Sequence, residues 1–90
     1  MNERIEHCLY QSGLTAQGCW DELDDYAKQG IEKFAELIVR ECASICDAKR
    51  AEYTKLCKDA DNFTDKNLWA EGEISAHRIR TSIQEHFGVE

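Results

Sequence analysis

The chain has 90 residues, a formal charge of −7 at pH 7, a pI near 4.9, five cysteines, five glycines and no proline. This length allows one small domain, marginal alone because it buries only about 60–65% of its unfolded surface. The acidic balance argues against non-specific contact with DNA, RNA or an anionic membrane. No apolar run approaches the ~20 residues of a membrane span. The opening Met-Asn-Glu-Arg lacks the basic-then-apolar order of a secretory signal, so a cytoplasmic home is expected. With an odd cysteine count, Cys8, Cys19, Cys42, Cys46 and Cys57 read as small buried hydrophobes rather than a disulfide framework.

The first expected helix covers residues 2–12. Met1, Ile5, Cys8 and Leu9 share one face, and Glu3 stands in the opening turn where the helix dipole favours a carboxylate. Gly13 suits the left-handed residue past the end, with Leu14 folding back as in a Schellman stop. Residues 15–30 allow two readings. Trp20, Leu23 and Ala27 precede Ile31 at helical spacing, so the central helix can begin near Trp20, with Gly30 costing ~1 kcal/mol inside it. Alternatively Asp21–Asp25 is an acidic turn, with Trp20 tucked beneath the bundle.

The central helix is expected over residues 31–60. Ile31, Phe34, Ala35, Ile38, Cys42, Ile45, Cys46, Tyr53, Leu56 and Ala60 form one apolar stripe, opposite Lys33, Glu36, Arg40, Asp47 and Lys58. Glu36–Arg40 and Asp47–Arg50 are spaced as local ion pairs, each contributing only about 0.2–0.5 kcal/mol, so burial of the stripe must hold the helix. A polar connector follows. Thr64 is the expected N-cap of a last helix over residues 65–87, with Phe63 and Leu68 as a hydrophobic staple. Leu68, Trp69, Gly72, Ala76, Ile79, Ile83 and Phe87 line its stripe, and Gly88–Val89 repeats the glycine-plus-apolar stop. Gly72 and Ala76, small and one turn apart, admit a close neighbour.

Chemistry-bearing patterns are few. Cys42 and Cys46 stand one turn apart and would supply two ligands of a zinc site, completed by Cys57, His7 or His77, but core packing is the plainer reading. His86 suits a helix C-terminus, where the dipole favours a cation. Asp21, Glu22, Asp24 and Asp25 read as a solvated acidic patch. No phosphate-cradling glycine loop, nucleophile elbow or H-E-x-x-H motif occurs, so neither an enzyme nor a cofactor is expected. The cations available to meet a phosphate are Arg40, Lys49, Arg50, Arg78 and Arg80. Lys49 falls inside the apolar stripe, as a snorkelling side chain at a seam edge or as the lining of a ligand pocket or subunit interface. Leu37 and Ile74 fall outside the stripes, which points to a second contact surface.

The run from Lys33 to Ala43, KFAELIVRECA, together with Ile79, Ile83 and the closing HFGVE of residues 86–90, resembles small uncharacterised proteins of tailed bacteriophages. The resemblance covers about half the chain. It implies a viral origin and a bacterial host cytoplasm, and it carries no assigned site residues. Small phage accessory proteins commonly act by binding a host enzyme, a defence protein or a nucleotide messenger. The expectation is therefore an all-α bundle with one long central helix, completed by oligomerisation. A dimer with Leu37, Ile74 and Lys49 at its interface is favoured. Its expected role is a non-enzymatic, anti-defence binding protein. Two alternatives remain: a sponge holding a nucleotide signal between subunits, and a zinc-stabilised module.

Overall fold

A computed structural model describes residues 3–90, so Met1 and Asn2 of the first expected helix lie outside it. The fold is all-α. Helix α1 spans Glu3–Gln11, a short 3₁₀ turn Ala16–Gly18, α2 Asp25–Asp59 and α3 Phe63–Phe87. Only residues 60–62 separate α2 from α3, so the two fold back as an antiparallel hairpin. Asp47 meets Arg80, Arg50 meets Glu73, Tyr53 meets Trp69 and Cys57 meets Lys66, the order antiparallel packing demands.

The helix ends show how local chemistry sets these bounds. α1 stops at Ser12–Gly13. Gly13 has φ +83° and its N–H donates to the Tyr10 carbonyl at 3.2 Å. The second bond of a Schellman stop is replaced by the Ser12 hydroxyl, which donates to the Leu9 carbonyl and accepts from Leu14 N–H at 3.2 Å. At the other end of the chain the expected glycine stop forms around one acceptor: Gly88 has φ +62°, and both its N–H and that of Val89, at 3.1 Å, donate to the Gln84 carbonyl.

The start of α2 lies between the two sequence readings. Asp24 caps it, its carboxylate accepting from Ala27 N–H at 2.7 Å. The acidic turn therefore exists, and Gly30 still lies inside the helix. Trp20 is half-buried, with Lys28 Nζ 5.9 Å from its ring centre, at the outer limit of a cation–π contact.

The cap of α3 corrects the expectation at Thr64. Asn62 is the N-cap. Its side-chain oxygen accepts from Asp65 N–H at 2.8 Å, and its amide donates to the Asp65 carboxylate at 2.8 Å. This reciprocal pair satisfies the first turn one residue before Phe63. Phe63 and Leu68 are left exposed, so no staple forms. Asn62→Ala is expected to cost about 1 kcal/mol, and Thr64→Ala a few tenths at most. Chemical denaturation of the two variants separates the assignments.

The main correction concerns which face of α2 is buried. The buried seam is Val39 and Ala43, continued by the half-buried Cys46, Tyr53, Cys57 and Ala60. Phe34, Ile38, Ile45 and Leu56, placed by periodicity at the centre of the stripe, are exposed. The seam is rotated by roughly a quarter turn from the expected face. Two causes are visible. On α3 the buried side is small, Gly72 and Ala76, so the helices approach closely only where α2 is small or flat. The rotation also lets Asp47 pair with Arg80 at 2.7 Å and Arg50 approach Glu73 at 3.6 Å. These bonds across the hairpin replace the local Asp47–Arg50 pair, and Arg40 likewise turns to the Glu90 carbonyl, at 3.2 Å, rather than Glu36.

Ile5, Val39 and Val89 form the largest apolar knot, flanked by Ala35, Ile83 and Phe87. It pins α1 and the C-terminus to the first half of α2. The whole measures 61 × 18 × 17 Å with a radius of gyration of 18.7 Å, against about 12 Å for a globular chain this long. Among the described residues no helix is long and apolar enough to cross a membrane.

Candidate functional site

The hairpin has two unlike flanks, and the difference follows from residue spacing on α2. The covered seam takes Val39, Ala43, Cys46, Arg50, Tyr53, Cys57 and Ala60, at alternating steps of four and three, with Arg50 exposed at its polar edge. A second set, Ile31, Ala35, Ile38, Cys42, Ile45, Lys49, Glu52 and Leu56, repeats the same steps one residue earlier. Both have the average spacing of about 3.5 residues that keeps a helical seam facing a neighbour. α3 covers the first seam and leaves most of the second open.

The polar flank lies on the other side of the buried seam. Arg80 Nε approaches Asp47 Oδ1 to 2.7 Å, an ion-pair contact whose N–H is not aligned for a hydrogen bond, while its terminal nitrogen donates to Gln84 Oε1 at 3.0 Å. Arg50 lies 3.2 Å from His77 Nδ1. With Arg40 at the Glu90 carbonyl and Lys49 bridged to Glu52, four of the five candidate phosphate-binding cations are engaged by their own chain. Lys49 is on the opposite flank, 3.3 Å from Glu52, and Arg78 borders a shallow depression with Ile79, Ser82 and His86. The five cations are thus divided between two flanks and do not converge on one ligand position. Leu37 and Ile74 are exposed as expected, but each faces away from the buried seam of its own helix, so neither adjoins Lys49.

The cysteines depart from their expected burial. All five are free thiols; Cys8, Cys19 and Cys42 are exposed, and Cys46 and Cys57 half-buried. Cys57 has a polar partner, its thiol 3.5 Å from the Lys66 carbonyl. Cys42 belongs to the open seam and Cys46 to the buried one. Among the described residues no three of His, Cys, Asp and Glu are grouped to hold a metal ion.

The open flank carries two concavities. A groove of about 400 Å³ runs between α1 and the start of α2, lined by Ile5, Cys8, Leu9, Ser12, Leu14, Ile31, Phe34, Ala35, Ile38, Val39 and Phe87. Apart from the Ser12 hydroxyl and the Cys8 thiol, its walls are hydrocarbon. Further along the same flank a slot of about 230 Å³ separates Ile45 and Lys49 from Ser75 and Ile79, floored by Cys46, Tyr53, Gly72 and Ala76. Sequence reading put the right residues on one face of α1 and α2 but took that face to be closed. The signal that it is open was the width of the α2 stripe, ten residues long, set against a first helix of only two full turns.

The chain matches no protein-family model, no curated protein and no solved structure.

Proposed function

We propose that the chain is a non-enzymatic phage accessory protein that binds a host or defence protein through the groove between α1 and α2. The observation that carries this reading is the groove itself: an apolar trough with Phe34, 65% exposed, on its rim. Contiguous exposed apolar surface of this kind marks an interaction site. Its shape suits the apolar face of an amphipathic helix, which enters such grooves through side chains one turn apart. The lining is suited to hydrophobic contact.

Co-purification from cells of the bacterial host tests it. The intact chain is expected to retain a defined partner, and Phe34→Glu or Leu9→Glu to lose it, because either carboxylate must be desolvated on docking. Ile74→Glu, on the back of α3, is expected to retain it. Equal capture by Phe34→Glu and the unaltered chain would remove the groove from the interaction. Nucleotide bound stoichiometrically by the purified chain would replace the reading with that of a sponge.

A further inference from the structure

We propose that the open seam of α2 from Glu41 to Lys49 is a self-association surface, closed by a second copy of this chain crossing it antiparallel about a two-fold axis near Ile45. The inference goes beyond the groove and its foreign partner, and uses other residues.

Surface area is the first argument. The chain exposes 6886 Å². A compact monomer of 10.4 kDa exposes about 5,400 Å², so the excess is about 1,500 Å². A stable protein interface hides about 800 Å² on each partner, which the excess can supply. Burial agrees: no large side chain among the described residues is fully enclosed, and Ile45 and Ile79 stand 61% and 55% exposed at the lips of the slot. Ile45 of the second copy is a suitable filler for that slot, whose floor is lowered by Gly72 and Ala76.

Charge complementarity selects the direction. Glu41 and Lys49 lie one turn before and one turn after Ile45, on the same face of α2. In a parallel pair each Lys49 would oppose Lys49 and each Glu41 would oppose Glu41. In an antiparallel pair Lys49 meets the partner's Glu41, and two-fold symmetry makes that contact twice. The existing Lys49–Glu52 bridge is no obstacle. Both side chains are more than half exposed, where solvent leaves such a pair little to lose by exchanging partners.

Sedimentation velocity on the whole chain at ten to a hundred micromolar, an ordinary working range, reads the outcome. The unaltered chain is expected to run as a dimer, and Ile45→Glu as a monomer with unchanged helicity. Glu41→Lys and Lys49→Glu are each expected to weaken dimerisation about tenfold, and the double exchange to restore it. A monomer mass for the unaltered chain overturns the proposal. A dimer indifferent to Ile45→Glu overturns the surface, and failure of the double exchange to rescue overturns the antiparallel direction. Failure of any of these leaves partner capture by the groove unaffected, so the two readings fail separately.

Discussion

Val39→Asp is expected to abolish the cooperative thermal transition of the protein, while Ile38→Asp, one residue away, leaves it in place. Val39 is 7% exposed and packed among Ile5, Val89, Ala35, Ile83 and Phe87, none of which can accept or compensate a carboxylate. Arg40 follows it in sequence, but its guanidinium is held at the Glu90 carbonyl. An unpaired buried charge costs several kcal/mol, and a chain of this length has about 5–13 kcal/mol in total. Ile38 is 49% exposed, so an aspartate there remains hydrated. Circular dichroism against temperature decides between the two sites. Loss of folding in Ile38→Asp with survival of Val39→Asp would restore the face that periodicity favours.

That pair of positions shows what the sequence could and could not reveal. Helices, their order and the glycine stop at Gly88 follow from local chemistry, which the chain carries within a few residues of each feature. The direction in which α2 faces does not. Its apolar residues cover two seams, and a wheel weighted by side-chain size favours the one bearing Phe34, Ile38 and Ile45. α3 packs against the other, where Ala43 is 5% exposed, because Gly72 and Ala76 reward closeness over bulk. Contact across the hairpin also redirected Arg50 and Asp47 from each other to Glu73 and Arg80. Partners far apart in sequence are not visible in spacing. The cap at Asn62 was missed for a different reason: Asn62 and Thr64 are both capable caps, and the decision rests on which one finds a carboxylate three residues on. The groove was legible only as an excess, since too many apolar residues on α2 faced too little helix to cover them.

The second large effect is expected at Gly72, where that closeness can be measured. A Cβ placed there would lie 2.8 Å from Tyr53 Cδ1 and 3.0 Å from Tyr53 Cγ, inside any ordinary contact. These are not the loose end of a flexible chain. The Tyr53 ring is stacked on Trp69 at 6.0 Å between ring centres, so moving it off Gly72 disturbs that pair. In an open helix, replacing glycine relieves part of a ~1 kcal/mol propensity cost. Here overpacking at about 1–3 kcal/mol opposes it, and a branched side chain at the site adds to the clash. Gly72→Val is therefore expected to destabilise the hairpin by about 2–3 kcal/mol. In a Tyr53→Ala background the same substitution meets an empty space and is expected to be neutral or stabilising, a coupling of about 2–3 kcal/mol between the sites. Urea denaturation of the four proteins closes the cycle. Additive effects would mean that Tyr53 does not lie over Gly72, and that something other than glycine's size sets the spacing of α2 and α3.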